Sequence, residues 1–404
     1  MICLTGGTIP EKSMIAERLK QIRLARGLSL DALVEEMGGV VTKQAISKYE
    51  TGKAQPTPTV LQSLAKTLGV KAAELLRPPQ VAVDFIAYRK GAGLRKKEQV
   101  QVENLIERVL EERVRLQEMT GEVGVFNLPI QKFEIKSVED AEKAAAKLRE
   151  QWKLGDAPIA NVVAMLEDHL IHVVEIDADE KFDGISAITN DQHGKPRGAA
   201  VVSRRGLPGE RQRMNLAHEL GHIVMDVPED VDEEKAAFRF AGAFLAPADA
   251  LQREVGLRRG FVQGEELVML KLKYGISVQA LLYRLQALGI IGPSHYRQWC
   301  IAINKQGYRK QEPYELEAEK PQWLRRTVLR ALSEGLMNRE DAERVLGDEL
   351  SEDALSPRIL ERKELTKMGV EERRKILARQ VTDFAESTPS KSIPSSSKNG
   401  SRKR

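Results

Sequence analysis

Along the first eighty residues Leu19, Ile22, Leu33, Ile46, Leu61, Leu64 and Leu68 recur at helical spacings with polar positions between them. An α-helix repeats every 3.6 residues, so this pattern predicts four short amphipathic helices over 15–25, 30–37, 43–49 and 57–68. Gly27, Gly38-Gly39 and Gly52 separate them, and Pro78-Pro79 closes the group because a proline pair cannot continue a helix. From 94 to 118 the apolar residues Val102, Leu105, Ile106, Val109 and Leu110 predict one long connecting helix. Its stripe is too short for several heptads, so a solvated spacer is expected rather than a dimerising coiled coil.

A second compact region begins with helical patterns over 137–152 and from Pro158. The period then changes: 171–176 and 198–203 are short and rich in Val and Ile, as strands are, with polar turn material between them. Helical patterns return over 212–291, and beyond Pro313 Leu324, Val328, Leu332, Ala342, Val345 and Leu346 again fall at helical spacings. The expected fold is multidomain and mainly α, an all-α first module followed by an α+β domain with a small sheet and a helical C-terminal region. The expected partition is an extension at 1–14, the first module at 15–77, a helical linker at 78–136, the α+β domain at 137–292, a helical region at 293–386 and a disordered basic tail at 387–404.

Length supports that division, since 404 residues exceed one ordinary core. A hydrophobic content of 42% with 30% charged residues suits a globular chain. No apolar run approaches the roughly 18 residues of a membrane span, no secretory signal is legible, and two cysteines are too few for a disulfide framework. A reducing cytoplasm is the expected compartment. The net charge of +4 is unevenly spread: residues 1–80 carry +4, 387–404 carry +5, and the body between is acidic. Basic ends make nucleic acid a more natural partner for the ends than for the centre.

Residues 218–222 read His-Glu-Leu-Gly-His inside an apolar helical pattern. Positions four apart stand one turn above each other, so His218 and His222 can direct ring nitrogens at one Zn²⁺. Glu219, on the neighbouring face, is placed to take a proton from water at the metal and pass it to a leaving amine. With six histidines in the chain, this arrangement by chance is improbable. A catalytic zinc usually has three protein ligands, and the candidates for the third are Asp226, Glu229, Asp230, Asp232, Glu233 and Glu234. Glu234 opens a further helix, EKAAFRFAGAFLAP, from whose first turn a carboxylate can point back to the metal. His169, His172, His193 and His295 are expected to be structural or solvated.

Residues 29–53, SLDALVEEMGGVVTKQAISKYETGK, have the form of a helix, a glycine-containing turn and a second helix. Thr42 can cap the second helix, leaving Lys43, Gln44, Ser47 and Lys48 on its exposed face. Glutamine can pair with adenine, and lysine reaches guanine or phosphate, so these types suit the major groove of double-stranded DNA.

The stretch 15–76 resembles the XRE, or lambda-repressor-like, helix-turn-helix family through RLKQIRLARGLSLDALVEEMG and QAISKYETGKAQPTPTVLQSLAKTLGV. The likeness implies a phosphate contact at Lys53. Residues 137–292 resemble the ImmA/IrrE family of zinc-dependent metallopeptidases through RQRMNLAHELGHIV, EKAAFRFAGAFLAP and SVQALLYRLQALGII, which implies a zincin-like α+β fold. That family's third ligand opens a Glu-x-x-Ala-Asn pattern, which falls on Glu234 here, with Phe238 standing where the pattern has asparagine. The resemblances together imply a DNA-binding regulator fused to a zinc endopeptidase that cleaves a partner repressor, with a homodimer among the expected assemblies. The alternative is a regulator whose zincin-like domain senses metal or ligand and hydrolyses nothing.

Overall fold

The computed structural model describes residues 11–77, 81–86, 95–122, 128–177, 182, 184–191, 193–309 and 311–350. The expected basic tail at 387–404, the stretch 351–386 and residues 1–10 lie outside these. The chain divides into two units, 1–346 and 347–404, and the described helices and strands all belong to the first.

Five helices open it: α1 (Glu11–Ala25), α2 (Leu30–Glu36), α3 (Lys43–Glu50), α4 (Pro58–Leu68) and the short α5 (Ala72–Leu75). Ser29, Thr42 and Thr57 cap α2, α3 and α4, each side-chain oxygen accepting a backbone N–H three residues on, a contact worth about 1 kcal/mol apiece. Leu19, Ile22, Leu33, Ile46, Leu64 and Leu75 are fully or almost fully buried at their centre. Arg23 grips Glu50 through two hydrogen bonds of 2.6 and 2.8 Å, fastening α1 to α3. Gly38 and Gly39 both take left-handed backbone, at φ +66° and +75°, a succession other residues adopt only at a steric cost. They make the long turn between α2 and α3.

Next come β1 (Ala82–Phe85), α6 (Lys96–Met119), β2 (Phe133–Glu134), α7 (Asp140–Gln151), α8 (Val162–Asp168), β3 (Ile171–Ile176), β4 (Gly184–Asn190) and β5 (Pro196–Arg204). Helices then dominate: α9 (Gly209–Val224), after which β6 (Met225–Asp226) pairs with β2, then α10 (Glu233–Leu245), α11 (Ala248–Val255), α12 (Gly264–Tyr274), α13 (Val278–Ala287), α14 (Pro293–Gln306), α15 (Trp323–Ser333) and α16 (Arg339–Leu346). The molecule is mainly helical with small sheets, as the pattern predicts. Among the described residues no helix is long and apolar enough to cross a membrane.

The larger sheet runs β1-β4-β5-β3, with β3 parallel to β5 and the other pairs antiparallel. Helices cover both faces. Val174, Ile176, Ile185, Ala187, Ala200 and Val202 pack under Val102, Ile106 and Leu110 of α6. On the other face Ile171, Val173, Ile188, Ala199 and Val201 belong to the core shared with α8 and α9. Strands buried on both sides read as nearly continuous apolar runs rather than as an alternation.

Two expectations need correction. The helix over 94–118 forms, but it is not a solvated spacer, because its apolar stripe is one of the two covers of the sheet and Ile106 and Leu110 are fully buried. The material between the two predicted strands is not all turn. It contains β4, whose Gly, Ser, Thr and Asn content masks a strand held by pairing on both sides. The region expected as a linker also supplies β1, registered from Ala82 opposite Asn190 to Phe85 opposite Ala187.

Glu142 of α7 ties the helical layer together by accepting from Arg239 of α10 at 2.9 Å and from Arg284 of α13 at 2.6 Å. Burial raises the Glu142 pKa, but Arg284 and then Arg239 outweigh it and hold the carboxyl below its ordinary value. The contribution is therefore complete above the unfolded-state pKa and is lost as pH falls through the lower folded value. Glu142→Gln should lower stability by about 2–3 kcal/mol at pH 7, with the difference from wild type shrinking below about pH 4. Urea unfolding at the two pH values checks both statements.

Candidate functional site

The helix α9 carries an unusual load of buried polar groups, and neighbouring segments answer them one by one. Glu210 accepts from the fully buried Lys271 at 2.7 Å, and Lys271 also reaches Glu312 at 3.0 Å. Arg213 pairs with Glu319 and donates to the Ile159 carbonyl at 2.6 Å. Gln212 exchanges hydrogen bonds with the Glu319 backbone at 2.8 and 2.7 Å, and Leu316 contributes its N–H to Glu210 at 3.0 Å. The irregular strap between α14 and α15 thus runs along the N-terminal half of α9. The strap fixes the helix in rotation, and with it the direction of His218, Glu219 and His222 one to two turns further on.

Those three side chains are buried, at 6%, 4% and 4% exposure. The Nε2 atoms of His218 and His222 stand 3.1 Å apart. Glu234, in the first turn of α10, brings one carboxylate oxygen to 3.3 Å from His218 Nε2 and the other to 3.6 Å from His222 Nε2. One ligand atom from each residue lies within 4.8 Å of the others, and the packing of α10 on α9 produces this convergence. Asp232 caps α10 by accepting from the Lys235 backbone at 3.1 Å. Asp226, Glu229 and Asp230 are exposed and stand outside the cluster.

Glu233, also a candidate ligand in the sequence, lies on the far side of the His222 ring from the cluster. Its carboxylate lies 3.2 Å from His222 Nδ1. A carboxylate accepts, so Nδ1 carries the proton and Nε2 presents a lone pair to the cluster. Burial, and then the neighbouring His218, push the His222 pKa below its ordinary value, which keeps the ring neutral as a metal ligand must be. The hydrogen bond with His218 holds the Glu234 carboxyl below its ordinary value as well. Two imidazole nitrogens and a carboxylate converging on one point fit a four-coordinate cation with a position left over.

Glu219 points to the side of this cluster, toward β4. A Cβ built on Gly184 would fall 2.6 Å from Glu219 Oε1 and 2.9 Å from its Cδ, so the absent side chain of Gly184 is the space Glu219 occupies. Phe238, one turn beyond Glu234, sets its ring 4.2 Å from that of His218 and remains 48% exposed. Where the family pattern places an amide, this chain has an apolar rim. The sequence reading missed Gly184; its only signal was a glycine opening a β-branched stretch, which suggests close approach.

The other histidines have structural surroundings. His169 stacks on Trp152 at 3.9 Å, and His172 is fully buried with its ring 4.4 Å from Trp323. His295 Nε2 accepts from the Val262 N–H at 3.1 Å and from Trp299 Nε1 at 3.2 Å. His193 sits in the turn before β5, its N–H donated to Asp191 at 2.9 Å.

In the first module, Lys43, Gln44 and Lys48 of α3 are exposed and Ser47 is half-buried, while Ile46 is fully buried. Lys53 is exposed in the turn after α3, and Lys43 pairs with Asp31 of α2 at 2.6 Å. The four α3 residues and Lys53 are therefore placed at the accessible end of the motif.

Fold and site together define a helix-turn-helix module joined to a metallopeptidase-like domain. A helix-turn-helix family model matches residues 19–75, and the model of the IrrE N-terminal-like domain, of the M78 peptidases, matches residues 166–286. Part of the chain is also similar to an SPbeta prophage-derived uncharacterized HTH-type transcriptional regulator, YonR, of Bacillus subtilis (strain 168). Identity is 37% over 72 residues, 18% of this chain and 65% of the relative. No solved structure matches. The chain thus carries an XRE-type helix-turn-helix domain followed by an IrrE N-terminal-like domain of the M78 peptidases.

Gly184→Ala should lower stability by about 1–3 kcal/mol, because overpacking displaces Glu219 or the strand. Glu219→Ala removes the obstacle, so the double variant should recover much of that loss. A double-mutant cycle on thermal or urea unfolding measures the coupling.

Proposed function

We propose that this protein is a cytoplasmic transcriptional regulator whose zinc-dependent peptidase domain cleaves a protein, most directly a partner repressor. The observation that carries the reading is the convergence of His218 Nε2, His222 Nε2 and Glu234 on one point, with Glu219 beside it. In this reading Zn²⁺ is held by those three ligands, one ion per chain, and Glu233 keeps His222 in the ligating tautomer. When bound, the metal polarises a carbonyl and acidifies water. Glu219 accepts the proton of the attacking water at its carboxylate and returns it to the leaving amine. The exposed ring of Phe238 gives the bound polypeptide an apolar surface next to the reacting bond.

The first module is proposed to bind duplex DNA, with Gln44 and Ser47 at base edges and Lys43, Lys48 and Lys53 at base edges or phosphates. A homodimer would present two copies of α3 to a two-fold operator. Affinity should fall steeply with salt as phosphate contacts release counterions. Lys53→Ala should weaken all sequences alike, whereas Gln44→Ala should change sequence preference by about 1–3 kcal/mol at one base pair. Gel-shift titrations of the full chain at several salt concentrations read both effects.

His218→Ala and His222→Ala should each sharply reduce the metal content of the purified chain. Glu219→Gln should retain metal and DNA binding while lowering hydrolysis by at least about 100-fold, followed as loss of intact candidate repressor by mass spectrometry. A regulator that only senses metal predicts another pattern: Glu219→Gln behaves like wild type at the promoter, the two histidine variants do not, and no repressor is cut. That pattern would replace the peptidase reading.

A further inference from the structure

We infer that the cavity where the first module meets α6, α15 and α16 is a binding site for a small phosphate-bearing anion. Its volume is about 350 Å³, within the range of small-ligand pockets, and its walls come from α1, α5, α6, α15 and α16. The charges around it do not balance.

Each carboxylate on the wall is already engaged. Glu111 receives two hydrogen bonds from Arg18, at 2.5 and 2.6 Å. Glu112 is held by Arg115 at 2.6 Å, Asp341 by Lys71 at 2.5 Å, and Glu74 by Arg344 at 3.4 Å. Arg77, Arg108 and Arg113 also line the cavity, and among the described residues no side-chain hydrogen bond or ion pair is made by any of the three. Arg113 is 7% exposed; its guanidinium carbon stands 6.0 Å from the Trp323 ring centroid, with the Glu167 charge nearby, and its Nε and Nη1 are buried without a hydrogen-bond partner. Burial lowers the pKa of Arg113, to about 10, and that of Arg108. A guanidinium taken out of water without an acceptor is costly. Arg77 and Arg108, half-buried on one cavity wall with the Arg113 charge behind them, are an arrangement that suits an anion with several oxygens, by the planar fork geometry that fits arginine to phosphate. The site lies apart from the histidine cluster and does not depend on the peptidase reading.

Calorimetric titration of the full-length protein at fixed ionic strength tests this, with pyrophosphate, ATP and inorganic phosphate as the probes. One site per chain is expected for pyrophosphate or ATP. Tighter binding of ATP assigns the ligand to the nucleotides, and equal binding assigns it to phosphate compounds generally. Arg77→Gln and Arg108→Gln should each weaken binding by about tenfold or more, while Lys48→Ala and Lys53→Ala, on the DNA-binding face, should leave it unchanged. Arg113→Met should weaken binding by removing one positive charge behind the wall and, by removing a buried guanidinium with two unbonded nitrogens, raise the melting temperature of the unliganded protein. That rise separates the loss of a site from a loss of fold. Absence of binding by all three probes would overturn the assignment. So would binding that survives the arginine substitutions, as chelation at the metal centre would, or binding lost only with Lys48 and Lys53.

Discussion

A helix that buries Glu210, Gln212, Arg213, His218, Glu219 and His222 can exist only if the rest of the chain supplies a partner or a use for each of them. Leaving one such group buried and unanswered costs several kcal/mol, comparable with a whole domain's net stability. The architecture around α9 follows from that demand. Lys271 is drawn fully inside to meet Glu210 and Glu312, the strap ahead of α15 delivers Glu319 to Arg213, and α10 lays its first turn over the two histidines. The polar half near the N-terminus is satisfied by protein. The half near the C-terminus gathers two imidazoles and a carboxylate within 4.8 Å, and a cation is the partner this donor set fits.

The sheet serves the same helix from below. Gly184, Ser186 and Ile188 share the face of β4 turned to α9, and the missing side chain at Gly184 leaves the volume that Glu219 fills. On the opposite face α6 closes the sheet, and through Arg18–Glu111 and Gln21–Glu107 contacts it also carries the first module. One helix is thus packed against both the helix-turn-helix unit and the sheet on which the His218–His222–Glu234 cluster rests. A change that shifts α6 therefore has a physical route to either, and the cationic cavity lies along that helix.

Much of this was legible in the sequence because its signals are periodic or local. The first four helices, the strands at 171 and 198, and the His-Glu-x-x-His turn depend on spacing within one segment, whereas six acidic residues stood open as the third ligand and only the family resemblance singled out Glu234. What escaped depends on distant partners. β4 is made a strand by β1 and β5, not by its own composition. The stripe of α6 reads as too short for a coiled coil and does not reveal that a sheet awaits it. The role of Glu233 depends on which nitrogen of His222 faces away from the cluster, and Gly184 matters only because Glu219 arrives 35 positions later in the chain. Such facts belong to pairs of residues, and a single sequence holds only one member of each at a time.

The central claim is that α9 and the first turn of α10 form a metal site whose donors are two imidazoles and one carboxylate. X-ray absorption at the zinc edge of the zinc-loaded, full-length protein tests it most directly. The account predicts a first shell of nitrogen and oxygen at about 2.0–2.2 Å without sulfur, with outer-shell scattering from two histidine rings. Glu233→Gln should leave that shell in place while weakening affinity about 10–100-fold, because it loosens only the ring behind the ligand atom. A spectrum without imidazole scattering, or one with sulfur in the first shell, would contradict the account.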